Sequence, residues 1–423
     1  MTCNRTKATS IANNVLNPLS ITELKNDLQD MDFISVSTDA SNHGNIKLFP
    51  IIIQYFNYKK NGITSKLLDI ENTENETANT ITELIIKQLR QHNLLSKCIA
   101  FSGDNCNTNF GGRERIGINN VFHNLQVNLN SNIVGVDCSA HIIHNAMHRG
   151  CDLLPVDVES IILKIYNYFS VYTVRTESLK EFCTAADTEY KQLLFHSKTR
   201  WLSLFPAIER FLKLYEPIKT YFESLDEPPV LIKKFFADPF SEAYLFLIHS
   251  IMHILHSKIE KLEKSDNSIL ETRNILTFIT KSLNNRINEI FLPLKVQNIL
   301  NNQDENTKNE CIKCCMDFYN KIKTYIENWI KPLNEFEKFD WMFLPNLTEN
   351  TPWTVVENTV LFLQEKNIII NETKLLDEWI NLKTFSKNLS KQDKLLTANQ
   401  LCKQAVLESI GKTEKYHKTA KTE

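Results

Sequence analysis

Two stretches built alike constrain this chain more than any other feature. Phe33-Ile34 and Val36 run into the carboxylate Asp39, followed by small polar residues; Cys98-Ile-Ala-Phe101 runs through Ser102-Gly103 into Asp104. Each is an apolar run of strand length that delivers an aspartate at its C-terminal end. Aspartate is an ordinary turn former, because its side chain bonds the backbone just beyond it. Either residue taken singly is therefore as readily a turn as a ligand. The order of elements between them separates the two readings.

After Asp39 the polar turn Ser41–Asn45 leads to a long strand, Leu48–Phe56. Its Pro50 has no N–H to give a ladder, which predicts an edge position or a bulge near the start. Asn57–Gly62 turns the chain into a third strand, Ile63–Ile70, completing an antiparallel meander. A polar linker, Asn72–Thr80, precedes a helix to Gln91 whose Ile81, Leu84, Ile85 and Leu89 keep the spacing of one buried face. The strand Cys98–Phe101 follows, then more helix, then a strand at Ile133–Val136 closed by Asp137 and Cys138. A helical crossover requires a parallel partner. This order is the layout of the ribonuclease H-like fold, in which the first and fourth strands lie side by side, bringing Asp39 next to Asp104. Two bare carboxylates about 4 Å apart repel by about 4 kcal/mol at an effective dielectric of about 20. A cation between them removes that cost. Mg²⁺ with oxygen ligands is the expected occupant, and two such ions would clamp an in-line phosphodiester attack. Asp39 and Asp104 are thus the expected catalytic and metal-binding carboxylates.

Beyond Asp137 the strand signals stop. Helices are expected at Cys138–Arg149, Val156–Tyr172, Glu177–Phe182, Leu202–Leu225, Tyr244–Leu262, Leu270–Phe291, Glu310–Trp329 and Thr354–Glu365, with Asn301–Asn309 as a loop. The fold class read from this is α/β plus all-α, a ribonuclease H-like mixed sheet interrupted by a large helical insertion. Residues 1–32 form a helical or extended lead-in, 33–137 a truncated core, 138–395 the all-helical insertion and 396–423 a polar tail. Nine glycines and twelve prolines in 423 residues suit a mostly helical chain. The asparagine-rich stretch Asn124–Asn132 reads as loop. A net charge of −2 advertises no global affinity for nucleic acid, so any DNA surface must be a local patch. Ten cysteines without a disulfide-type framework, and no run of eighteen apolar residues, indicate a reduced intracellular chain with no membrane partner.

Cys138-Ser-Ala-His141-Ile-Ile-His144-Asn-Ala-Met-His148 is the densest cluster of potential metal ligands. On a helix Cys138 and His141 share a face, as do His144 and His148. Ligands on one short helix rarely close a tetrahedron, and no second pair stands at finger spacing. The better reading is a helix start at which His141 points back toward the carboxylates. Cys311-Ile-Lys-Cys314-Cys315 falls in a helical pattern and reads as packing. Lys198-Thr-Arg200-Trp201 opens a helix. An arginine beside a tryptophan can hold phosphate and stack on an unpaired base; equally, the tryptophan can fill a helix seam with the arginine as its solvated neighbour. No glycine-rich phosphate loop is present, since Gly111-Gly112 lacks the Lys-Ser/Thr that a nucleotide site needs.

Together, Ser37-Thr-Asp39-Ala-Ser-Asn-His-Gly-Asn45, Ser102-Gly-Asp104-Asn-Cys-Asn-Thr-Asn-Phe-Gly-Gly112, Cys138-Ser-Ala-His141 and Thr199-Arg-Trp201 resemble the hAT superfamily of DNA transposases, and most closely its domesticated, BED-finger-bearing relatives. The order and spacing match from about residue 1 to 225. The resemblance implies that Asp39 and Asp104 are the first two carboxylates of a D-D-E metal triad. It makes Cys138 and His141 the C-x2-H motif, and Trp201, with Arg200 beside it, the insertion-domain tryptophan associated with hairpin DNA. Three departures stand against the match. No Ser-Glu-Arg-like segment carries the third acid, for Glu365, Glu378 and Glu408 lack that context; the aromatic-rich dimerisation region is missing; and Cys3 stands without a finger. The expectation is a transposon-derived nuclear protein with a degenerate core, catalytically inactive, holding Mg²⁺ at most weakly. Its expected partners are DNA and related transposase-like proteins or itself. The alternatives are a fragment of an active transposase that cuts and transfers DNA strands with a metal, and a helical interaction scaffold with no nucleic-acid role.

Overall fold

The structure is a computed structural model that describes residues 4–390, apart from 30, 45, 58–61, 74, 113, 198–202, 265–266, 343–345 and 369–371. The chain divides into two compact units, one comprising residues 1–138, 264–272 and 332 onward, the other residues 139–263 and 273–331.

The first unit opens on helix. α1 (Arg5–Ile11), a π-helical stretch (Ala12–Leu16) and α2 (Asn17–Gln29) follow one another, with Asn4 capping the start. The sheet consists of β1 (Ile34–Thr38), β2 (Ser41–His43), β3 (Ile46–Asn57), β4 (Gly62–Asn72), β5 (Cys98–Gly103) and β6 (Val134–Asp137). β1 is antiparallel to β3 and parallel to β5, β5 is parallel to β6, and β4 runs antiparallel along the far edge of β3. The long strands therefore lie in the order β4-β3-β1-β5-β6, with the first and fourth adjacent. In β1, Ile34, Val36 and Thr38 are buried while Ser35 and Ser37 are half-buried, the period-two pattern of a strand with one packed face. α3 (Ala78–Gln91) packs in the same core with Ile85 and Leu89 fully buried, and Thr77 caps it by accepting from Thr80 N at 3.2 Å. Each such side chain contributes about 1.5–3 kcal/mol on leaving water. The irregularity expected near Pro50 falls between Ile51 and Ile52, where the β3–β4 register shifts.

Two local readings change. Ser41–His43, expected as turn, forms β2 against the start of β3. Asn124–Asn132, expected as loop, is largely helix: α5 covers Val121–Leu129 after the short α4 (Asn107–Phe110). Val121 and Leu125 are fully buried one turn apart, which overrides the weak helix propensity of asparagine. Asn120 caps this helix by accepting from His123 N at 2.8 Å, and Asn130 ends it in the left-handed conformation at φ 46°. The asparagines punctuate a helix here.

The second unit is helical: α6 (Ser139–Cys151), α7 (Val158–Ser170), α8 (Thr173–Ala185), α9 (Leu204–Lys213), α10 (Tyr215–Glu223), α11 (Val230–Ala237), α12 (Ser241–Leu262), most of α13 (Ile269–Asn288), α14 (Leu294–Leu300) and α15 (Glu305–Ile330). The single helix expected over Leu202–Leu225 is broken at Leu214 (φ −110°, ψ 12°), and Pro217 fits the first turn of α10, where its missing N–H leaves nothing unpaired. α15 starts inside the stretch expected as loop, because Asp304 accepts from Asn306 N and Thr307 N at 3.1 Å and caps it. Residues 332–390 return to the first unit with a 3₁₀ run (Lys331–Met342), α16 (Thr354–Glu365) and α17 (Leu375–Asn388), packed on Leu347, Val356, Val360 and Trp379. No helix of the described residues is long and apolar enough to cross a membrane.

Candidate metal and nucleic-acid site

The register of the central strands positions the two aspartates. Ser37 on β1 pairs with Ser102 on β5, and Asp39 and Asp104 each stand two residues further on. Neighbouring strands are about 4.8 Å apart, so the register brings residues 39 and 104 to the same level, just past the ends of adjacent strands. Val36, Thr38, Phe101 and Gly103 are buried on the packed side and Ser37 and Ser102 lie on the other; Asp39 and Asp104 follow just beyond the strand ends. Asp39 is exposed and Asp104 half-buried. Asp104 is also a turn residue. Its Oδ1 accepts from Asn109 Nδ2 at 2.6 Å and from Cys106 N at 3.3 Å, starting α4. Burial, and then the neighbouring Asp104, push the Cys106 thiol up to about 11. The turn and ligand readings thus coexist at one residue.

A third carboxylate stands on the next strand. Asp137 pairs in register with Gly103, but its side chain is only 2% exposed and forms an ion pair with Arg115. Arg115 Nη1 also donates to Gly135 O at 3.0 Å, and its guanidinium lies 4.9 Å from the Phe110 ring centre and 5.5 Å from that of Phe122. A Cβ on Gly135 would come within 2.9 Å of both that guanidinium and the Phe122 ring, so a larger residue there would have to displace them. Burial raises the Asp137 carboxyl above its ordinary value, and Arg115 opposes the rise. In the sequence Asp137 reads only as a strand end, and Arg115 stands in no pattern that marks it. The one available signal was that a carboxylate closing a buried strand requires a cation.

Among the described residues no group of three His, Cys, Asp or Glu side chains could hold a metal ion. Two carboxylates with water in the remaining positions suit one weakly held Mg²⁺. They do not fit the two-ion clamp, which needs more ligands than this pair supplies.

Cys138 follows β6 directly, half-buried, with its N–H donating to Gly103 O at 2.9 Å. His141 lies in the first turn of α6 and is half-buried. The three histidines of this helix have different surroundings. Burial, followed by nearby His141, brings His144 down to about 4, whereas His148 is exposed and sits 3.3 Å from Asp152. Arg200 and Trp201 lie outside the described residues, as do Lys198 and Thr199. The residues flanking them are tied together: His196, fully buried, meets Ser203 Oγ through Nδ1 at 2.9 Å, and Ser197 N donates to the same oxygen at 3.0 Å. His196 Nε2 stands 3.9 Å from Glu159 Oε1. Neither His196 nor Ser203 stands in a pattern that singles it out in the sequence. Cys311 and Cys315 are buried in α15, as the packing reading requires.

Residues 140–287 match the family model described as FAM200-GTF2IRD2-like, the FAM200/GTF2IRD2 helical domain. The match begins in the first turn of α6 and ends at the close of α13. That family is related to domesticated transposases, so the helical segment is similar to a transposase-derived domain. The strand-bearing residues that carry Asp39 and Asp104 lie outside the match.

Proposed function

We propose that the similarity of the helical segment extends to the whole design: the chain is a domesticated hAT-type transposon product that binds DNA or protein in the nucleus and does not cut DNA. Its sheet is read as a ribonuclease H-like core that keeps two of the three metal-binding carboxylates. One observation carries this reading. Asp39 and Asp104 leave parallel neighbours at one level, while the carboxylate on the next strand, Asp137, is taken up by Arg115. The order β4-β3-β1-β5-β6 supports the fold assignment. Asp39 and Asp104 would hold one Mg²⁺, which when bound would supply positive charge toward a phosphate. Arg200 would contact phosphate and Trp201 would stack on an unpaired base, with Cys138 and His141 as further contacts.

Incubation of hairpin DNA with the full chain in Mg²⁺ or Mn²⁺ tests the inactive reading. Neither the wild type nor Asp104→Asn is expected to nick the DNA. Nicking that disappears in Asp104→Asn would establish an active transposase instead. Hairpin binding is expected to weaken as salt rises, and Arg200→Gln is expected to lower the salt slope by about one, the change for one lost phosphate contact. No binding at low salt would remove the DNA role and leave the scaffold reading.

A further inference from the structure

α1, the π-helical stretch and α2 form one continuous helix, with helical φ and ψ at both junctions (Ala12 −59°, −48°; Asn17 −65°, −48°). Leu24 and Leu28 fix its final turns in the sheet core. From Arg5 to Glu23 every residue is exposed, among them Ile11, Val15, Leu16, Leu19 and Ile21 at 39–57%. A helix in a protein draws most of its stability from packing an apolar face, not from propensity. These exposed residues follow a row. Lys7, Ile11, Val15, Leu19 and Glu23 stand four residues apart, the ridge along which two helices pack. The π-helical stretch, with its wider i→i+5 turn, straightens the middle of that row, and Leu16 flanks it.

The row is complementary to itself. Turned end for end about Val15, it sets Ile11 against Leu19 and Lys7 against Glu23. Residues 1–22 contain no Asp or Glu, and Lys7 has no acidic partner among the described residues. The Glu23 side chain is 54% exposed and stands 3.8 Å from Lys66 Nζ, a long contact that a second ammonium can share. A parallel pair would oppose Lys7 to Lys7 and Glu23 to Glu23, so charge selects the antiparallel arrangement. A twofold contact requires this equivalence of ends, since residue i meets j and j meets i.

We propose that a second copy of this chain covers the row, the two helices pairing antiparallel across a twofold axis at Val15. The inference is independent of the metal and DNA readings. Leu24, where the helix enters the core, then lies just past Lys7 of the other copy, which leaves the core of either first unit clear of the contact. Five apolar side chains per copy make a small interface, at the low end of the stable range at about 1,200 Å² in total, and set the expected affinity in the micromolar range. The test is sedimentation of the full chain in reducing, low-salt buffer between about 1 and 200 µM. A monomer–dimer equilibrium is expected. Val15→Asp, which sets two carboxylates face to face on the axis, should weaken it about tenfold or more. Its thermal unfolding should match the wild type, because Val15 is 57% exposed. Lys7→Glu and Glu23→Lys should each weaken dimerisation by about fivefold at low salt, and the two together should restore it. Lys7→Glu leaves the contact of Glu23 with Lys66 in place, so that variant alone reads the second copy. A monomer at every concentration, a dimer undiminished by Val15→Asp, or a charge-swapped double variant no better than the single ones would each overturn the proposal.

Discussion

Replacing Arg115 by methionine isolates the carboxylate end of the sheet. Methionine keeps most of the apolar stem beside Phe110 and Phe122 but leaves Asp137, with its side chain 2% exposed, without a cation. Removing one member of a buried pair costs about 3–5 kcal/mol. Protonation caps that cost. Starting from the ordinary value of 3.8, forcing a carboxyl to stay protonated at pH 7 costs about 4 kcal/mol, at about 1.4 kcal/mol per pH unit. At pH 5 the same cap is about 2 kcal/mol. The lost hydrogen bond to Gly135 O adds about 1 kcal/mol at either pH. The sign follows from proton counting. A buried carboxyl whose folded pKa lies above its unfolded value binds more protons when folded, so stability falls as pH rises through that interval. Arg115→Met should therefore destabilise the first unit by about 5 kcal/mol at pH 7 and about 3 at pH 5, with Asp137→Asn in the same chain recovering most of the difference. Urea unfolding followed by circular dichroism at both pH values, with hydrogen exchange to assign the loss to the sheet, measures this. A cost below about 1 kcal/mol at pH 7, or one that does not change with pH, would refute the view of Asp137 as a desolvated carboxylate held by Arg115.

Gly150 sits where α6 meets α15, and a Cβ there would lie 2.6 Å from Ile322 Cγ1 and 3.2 Å from Phe318 Cδ2. Gly150→Ala should cost about 1–3 kcal/mol through overpacking, seen as a lowered melting temperature of the helical unit; an unchanged melting temperature would contradict this close approach. His144, brought down to about 4 by burial, binds fewer protons in the folded than in the unfolded state between pH 4 and 6.5. Stability of the helical unit should fall as pH drops through that range, and the His144 ring resonances should show no titration between pH 6 and 8 by NMR.

The sheet was legible in the sequence because its strands alternate and its crossover helix keeps one apolar stripe. Ile34, Val36, Ile85 and Leu89 state their burial through spacing alone. What stayed illegible depends on partners distant in sequence or on local caps. Arg115 lies in a loop with no pattern of its own, and its role exists only because Asp137 and Gly135 arrive twenty residues later. The asparagines around α5 look like loop composition until two fully buried side chains, Val121 and Leu125, turn them into caps and solvent-facing residues. His196 carried no signal because a lone histidine resembles any other until Ser203 meets it.

Pleat parity decides why the next strand does not complete the site. On β6, Gly135 and Asp137 are buried, while Val134 and Val136 are half-buried on the opposite side. Asp39 and Asp104 follow strands whose half-buried residues are Ser37 and Ser102, so the matching position after β6 is 138, not 137. This chain has a cysteine there. The acid falls one residue early and therefore turns into the core, where Arg115 neutralises it instead of leaving it to share a cation with the other two. A one-residue offset in a period-two element is enough to convert a potential ligand into a buried ion pair. The same offset accounts for the absence, among the described residues, of a group of three such ligands, although Asp39 and Asp104 follow β1 and β5 closely and Asp137 ends β6.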